Sequence, residues 1–242
     1  MNSVQYAEPV EKIRAFLKSH LSNKQAIVGI SGGVDSALVL KLLSISINHE
    51  RIKAFFLPDG KPQMNDEADV VNLSRFTGVS IETVNMHEIV SAFVRILGIQ
   101  DTKALGNVKS RIRMIILYYY ANISNGMVIG TTNKSEYYTG YYTKFGDGGC
   151  DIEPILHLTK TDVWDMSRIL GVPESIIHKP PSAGLWEGQR DEEELGLKYV
   201  DIDMALRKLI DGNTEPSNDA EKRVSELIGA SEHKRRPPVS ML

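Results

Sequence analysis

The chain has 242 residues, 42% of them hydrophobic and 24% charged, which excludes a disordered or fibrous protein and suits a single α/β domain with a well-filled core. A net charge of −3 gives no overall electrostatic pull toward nucleic acid. One cysteine, Cys150, excludes an intrachain disulfide framework and a cysteine-based zinc cluster, and suits a small buried filler better than a nucleophile.

The opening residues Met1–Glu8 lack a basic region followed by an apolar one, and no apolar run reaches membrane-spanning length. A cytoplasmic location is the default expectation, with no membrane partner. Val10, Ile13, Phe16, Leu17 and Leu21 recur at helical spacing and predict an amphipathic first helix. Gln25–Ile30 reads as the first strand and Ala37–Ile47 as the helix after it. Arg51–Leu57 reads as a second strand, closed by the turn Pro58-Asp59-Gly60. A polar helix is expected at Asn65–Phe76, a short strand at Val79–Val84 and a helix at Met86–Leu97. Asn107 can cap a long helix in which Val108, Ile112, Ile115, Ile116 and Tyr119 share a face. Gly126–Gly130 reads as a buried strand. Lys160–Leu170, Val200–Ile210 and Asp219–Ile228 look helical. Gly184–Gly196, acidic and without apolar period, is expected to be a mobile loop and a candidate lid. Alternating strands and helices imply a doubly wound parallel sheet flanked by helices, Rossmann-like and spanning residues 1–242. In such sheets ligands lie beyond the carboxyl ends of strands, where Ser31–Ser36, Leu57–Gly60 and Thr131–Glu136 all fall.

The first of these, Gly29-Ile30-Ser31-Gly32-Gly33-Val34-Asp35-Ser36, carries the most chemistry. Glycines admit close approach of a polyphosphate, and free N–H groups at the helix start face it. Asp35 makes sense beside phosphates if a divalent cation lies between them. No lysine precedes Ser36, so this is not the loop of γ-phosphate-cleaving NTPases; the order resembles the pyrophosphate loop of adenylating enzymes. Glu136 is either a second metal ligand or a solvated first-turn acid favoured by the helix dipole. In Tyr141–Pro154, Phe145 can stack on a planar ring and Lys144 can meet an anion, or the segment is a plain surface turn. Of Arg111 and Arg113, one can bind an anion while the other holds a carboxylate, or both make salt bridges at the helix surface. Glu232–Pro238 reads equally as a solvated basic tail or a local anion site.

Together, Gly29–Ser36, Gly106–Met114, Gly130–Glu136, Tyr142–Pro154, Leu158–Lys160, Pro180–Leu185 and His233–Pro238 resemble the ammonia-dependent NAD synthetases, in family order. The pair Thr-Lys-Phe-Gly-Asp-Gly-Gly and Glu-His-Lys-Arg-Arg-Pro-Pro carries most of the specificity. The resemblance implies an adenine nucleotide alpha hydrolase-like fold and a ligase that forms a carbon–nitrogen bond: deamido-NAD is adenylated by ATP, pyrophosphate leaves, and ammonia displaces AMP to give NAD. It implies that Gly29–Ser36, Thr131, Lys160 and Ser182 hold ATP, and that Asp35 and Glu136 bind magnesium. Arg111, Lys144, Asp151, His233 and Lys234 would bind deamido-NAD, with Asp151 also taking a proton from ammonium. A homodimer is implied, with Ile112, Ile115, Ile116, Tyr118 and Tyr119 as one possible surface and ordinary core as the other reading of them. Two rivals stay open from the sequence: adenylation of another acceptor, such as xanthosine monophosphate or a tRNA base, and nucleotide binding without catalysis.

Overall fold

The computed structural model describes residues 4–61, 64–186 and 188–241. Four parallel strands, β1 (Gln25–Ile30), β2 (Ile52–Phe56), β3 (Ile81–Thr83) and β4 (Gly126–Ile129), form one sheet in the order β3-β2-β1-β4. The strand order turns back between β1 and β4, so their carboxyl ends border the crevice where a doubly wound sheet takes its ligand. β1 pairs with β2 from Ala26↔Ile52 to Ile30↔Phe56 and with β4 from Gln25↔Gly126 to Val28↔Ile129.

β1 reads as an unbroken apolar run because both of its faces are covered. Ala26, Val28 and Ile30 belong to the larger core, with Leu38, Leu42 and Leu43 of α2 (Val34–Ser44) and Val10, Ile13, Leu17 and Leu21 of α1 (Val4–Leu21). Ile27 points the other way, into a core with Phe55, Val128 and Ala121 of α5 (Thr102–Ile123). Phe16 departs from the expected α1 stripe and is exposed. α3 (Met64–Thr77) and α4 (His87–Leu97) complete the first half.

Past β4 the chain is helical. α6 (Lys134–Thr139) and α7 (Lys160–Ile169) border the sheet's carboxyl end. α8 (Glu174–Ile177), α9 (Asp191–Leu195), α10 (Tyr199–Leu206) and α11 (Asp219–Arg235) follow. Leu195, Tyr199, Ile202, Leu206 and Val224 form a separate small core there.

Several expectations change. The strand near residue 80 shrinks to Ile81–Thr83, because it is an edge strand paired on one side only. Asp101, not Asn107, caps α5: its side chain accepts from the Ala104 N–H at 2.6 Å, and helix periodicity alone does not fix where a helix starts. Asn107 lies inside α5 and accepts from the Thr143 hydroxyl at 2.8 Å. The segment read as a loop is helical over Asp191–Leu195, with Gln189 and Asp191 buried; residue 187 lies outside the described residues. Ile112 is core, whereas Ile115, Tyr119 and Ile123 of α5 are exposed, as are Ile89, Phe93, Ile96 and Leu97 of α4. Among the described residues, no helix is long and apolar enough to cross a membrane.

Candidate active site

The turn from β1 to α2 is held by its own hydroxyls. Gly32 takes φ +80°, a conformation glycine adopts without strain. The Ser36 hydroxyl donates to the Gly33 carbonyl at 3.0 Å and accepts from the Ser31 N–H at 3.2 Å. The Gly33 N–H donates to Ser31 Oγ at 3.2 Å. Gly33 is the N-cap of α2 and offers no side chain to the first turn. The helix's leading N–H groups therefore have no side-chain cap, the arrangement that suits an anion.

Asp35 stands in that first turn and meets residues from two other helices. Lys160 Nζ donates to Asp35 Oδ2 at 2.5 Å and to Glu136 Oε1 at 3.2 Å. Asn133 donates through Nδ2 to Asp35 Oδ1 at 2.8 Å. The same Asn133 caps α6 by accepting from the Glu136 N–H, while Glu136 Oε2 accepts from the Asn133 N–H. Lys160 opens α7, whose start is fixed by Thr159 in a second capping box. The Lys160 N–H donates to Ser135 Oγ at 2.9 Å, and Ser135 in turn donates to Asp203. Asp203 also accepts from the Thr161 N–H at 2.8 Å, so one buried carboxylate of α10 aligns the starts of both α6 and α7.

Burial, and then the neighbouring Asp35, push the Glu136 carboxyl up to about 8, against the pull of Lys160. Burial alone would lower the Lys160 ammonium, but Asp35 and Glu136 outweigh it and hold it above its usual range. With the Glu136 carboxyl largely protonated at neutral pH, Asp35 and Lys160 are the charged pair beside the phosphate loop, and a further cation there would favour ionised Glu136. Among the described residues no group of three or more His, Cys, Asp or Glu is placed to hold a metal. Two carboxylates fit magnesium nonetheless, because that ion commonly takes one or two protein carboxylates and fills its shell with phosphate oxygens and water.

A second cavity of about 250 Å³ reaches Thr132, the residue before Asn133 in the chain. Thr132, Cys150 and Glu153 line it toward the sheet, and Lys144, Phe145 and Lys234 line it on the far side. Lys144 Nζ donates to the His233 carbonyl at 2.5 Å, and Arg111 donates to the Lys144 carbonyl at 3.2 Å. Lys234 Nζ donates to the carbonyls of Gly140 at 2.6 Å and Tyr142 at 2.7 Å. The basic cluster is thus docked rather than a free tail: Arg235 binds the Tyr137 and Tyr138 carbonyls at 3.0 Å each. Burial pulls the Lys234 ammonium below its usual value.

The predicted residues therefore gather in two places. Asp35, Glu136 and Lys160 meet at the phosphate loop, with Thr131 at the end of β4. Lys144 and Lys234 line the second cavity, and Arg111 and His233 are joined to Lys144 by hydrogen bonds. Ser182 is exposed on a segment tied down by Asp191, which accepts from the Ala183 N–H at 3.1 Å. Asp151 stands apart: its Oδ1 accepts from the Tyr118 hydroxyl at 3.1 Å and its Oδ2 from the Val128 N–H at 2.7 Å. Arg113 is the structural arginine of its pair, but it donates to the Leu57 carbonyl at 3.2 Å rather than to a carboxylate. Asn133, Asp191, Asp203 and Glu153 were not singled out from the sequence. Only Asn133 had a local signal, the Asn-x-x-Glu spacing of a capping box.

The NAD synthase family matches residues 7–238. An NH(3)-dependent NAD(+) synthetase of Thermoplasma volcanium is 49% identical, covering 98% of each chain. One of Pyrococcus horikoshii is 42% identical, covering 99% of this chain and 96% of the relative. Among solved structures, NMN synthetase from Francisella tularensis superposes with a TM-score of 0.86 at 34% identity, covering 96% of this chain and 97% of that one. NH3-dependent NAD synthetase from Campylobacter jejuni superposes with a TM-score of 0.84 at 25% identity over the whole of both chains. The phosphate loop, the cavity beside it and the match across residues 7–238 agree: the chain belongs to the NAD synthase family.

Proposed function

We propose that this protein amidates deamido-NAD to NAD with ammonia, consuming ATP and releasing AMP and pyrophosphate. The observation that carries the reading is the meeting of two anion sites at one strand end. The phosphate loop and Lys160 lie on one side of β4's carboxyl end, and a lysine-lined cavity lies on the other. ATP phosphates lie along Gly29–Ser36, reached by the α2 amides and by Lys160, with Thr131 and Ser182 as further contacts. The nicotinate carboxylate attacks the α-phosphorus, and the leaving pyrophosphate's charge is met by those amides and by Lys160. Magnesium held by Asp35 and Glu136 would neutralise phosphate charge. Arg111, Lys144, His233 and Lys234 are proposed to hold the dinucleotide, with Phe145 available for stacking. A net charge of −3 disfavours a tRNA acceptor.

The exposed apolar side chains of α4 and α5 support a homodimer joined through those helices. No contact to nucleic acid or membrane is proposed, and a cytoplasmic location suits the reaction.

The test is to supply ATP, magnesium, ammonium and deamido-NAD and to measure products. NAD and AMP in equal amounts are expected; ADP in place of AMP would overturn the mechanism. Nicotinate mononucleotide offered in competition reads acceptor choice, and its preferential amidation would overturn the dinucleotide assignment.

A further inference from the structure

Glu153 is a half-buried acid, with one carboxyl oxygen fully buried, that the proposed reaction leaves without a role. It follows the short bridge Ile129↔Ile152, which carries the chain alongside the end of β4. Its carboxyl group lies against Gly130 so closely that a Cβ there would fall 2.4 Å from it. Its Oε1 accepts from the Cys150 thiol at 3.1 Å; Thr132 lies near the carboxyl group and favours its ionised form, but no donor meets the buried Oε2 at ordinary hydrogen-bond geometry. An unpaired carboxylate oxygen of that kind is costly unless something else occupies it. Glu153 also lines the cavity between Lys144 and Lys234 on one side and Thr132 on the other. Thr132 adjoins Thr131, so Glu153 stands at the seam between the ATP and dinucleotide sites. The acyl carbon of an adenylated nicotinate has to lie at that seam.

We infer that Glu153, and not Asp151, receives ammonium and takes its proton. The inference rests on the amidation reading given above. Both Asp151 oxygens are already engaged by Tyr118 and Val128, and Asp151 does not line the cavity. An ammonium ion is small, cationic and rich in N–H donors, which is what the free Oε2 lacks. The step balances simply. One N–H bond of ammonium breaks and its proton passes to Glu153. The nitrogen lone pair of ammonia then forms the C–N bond at the acyl carbon, the C–O bond to AMP breaks with its electron pair going to the AMP phosphate, and the nitrogen's second proton passes to solvent water.

Several charged or titratable groups face Glu153. Cys150, Asp147 and Lys144 belong to its own loop, Tyr142 precedes them, Tyr137 comes from α6, and Lys234 and Arg235 from α11. Burial dominates over these and pushes the Glu153 carboxyl up to about 7, with Cys150 and Thr132 pulling it back. A base titrating there is ionised enough to accept a proton at neutral pH and still basic enough to hold it.

The experiment compares wild type with Glu153→Gln and Glu153→Asp. Wild-type kcat/KM for total ammonium should rise with pH to near 7 and then level off, because the ionised acid takes the ammonium ion itself. In E153Q it should fall by about 100-fold or more at pH 7 and keep rising with pH, since only free ammonia then reacts. Exchange of labelled pyrophosphate into ATP, which reads the adenylation step alone, should fall far less than NAD formation. Hydroxylamine, neutral at pH 7, should restore turnover as the hydroxamate in E153Q, and E153D should regain part of the ammonium rate. Equal losses with ammonium and hydroxylamine, or an unchanged pH profile in E153Q, would overturn the assignment. Wild-type enzyme that exchanges pyrophosphate but amidates no deamido-NAD would instead refute the underlying reading.

Discussion

Lys160 Nζ lies 2.5 Å from Asp35 Oδ2, although 125 residues separate the two in sequence. Lys160 is only 3% exposed, and it is the one ammonium within reach of both Asp35 and Glu136 among the described residues. Replacing it with methionine leaves the half-buried Asp35 without its ammonium and Glu136 without the charge that offsets its burial, a loss of roughly 3 kcal/mol at most. The melting temperature of K160M should fall, and magnesium chloride should restore more of it than it adds to wild type. Calorimetric scans with and without the cation check this; no differential gain would count against a divalent site.

Asp35→Asn keeps the size of the side chain and removes its charge. Product formation should fall by at least about 100-fold, as expected when a preorganised electrostatic contact to the reacting phosphates is lost. Circular dichroism should show the fold retained. Unchanged turnover in D35N would dismiss its assignment to the phosphate site.

Lys144 hangs from the His233 carbonyl over the second cavity, away from the phosphate loop. K144A should raise KM for deamido-NAD about tenfold, the loss of one charge-assisted contact, while KM for ATP moves little. The wild-type dinucleotide affinity should also weaken as salt rises, because partly exposed cations are screened. Steady-state kinetics at two ionic strengths measure both effects.

Gly140 ends α6 in the left-handed region at φ +71°, and a Cβ there would fall 2.1 Å from that of Ser231. Gly140→Ala therefore combines backbone strain with a collision against α11. A loss of about 2–4 kcal/mol is expected by chemical denaturation. Adding Ser231→Gly should recover part of it by removing the collision while leaving the strain.

The raised Glu153 carboxyl gives stability a definite slope with pH. The unfolded chain releases that proton near 4.5, and the folded chain near 7. Between those values the unfolded state binds fewer protons, so this group's effect on stability worsens as pH rises and levels off above 7. The full effect is roughly 3 kcal/mol at most. Glu153→Leu should flatten that part of the pH profile and raise stability at pH 8 relative to wild type. A profile of unchanged shape would mean that Glu153 is not buried as described.

The sequence showed the α/β frame because β1, β2 and β4 are apolar runs bounded by turn residues, a local pattern. It showed Asp35 and Lys144 because glycines and aromatics mark the segments around them. It did not show Asp203 or Asp191, since a carboxylate on an apolar helix or in an acidic run looks solvated until tertiary contacts bury it. Glu153 was hidden for a different reason. Nothing nearby in sequence says that Gly130, 23 positions earlier, leaves room for its carboxyl group. Asn107 misled because a capping residue type also serves inside a helix when a distant hydroxyl needs an acceptor.

The docking of Lys234 and Arg235 onto the carbonyls of residues 137–142 has a thermodynamic corollary. The far wall of the cavity is borrowed from a helix nearly a hundred positions downstream, so fraying of α11 and release of the dinucleotide are linked equilibria. A molecule bound there would tighten the helix by mass action, and any change that loosens the helix would be felt as weaker binding of one substrate only.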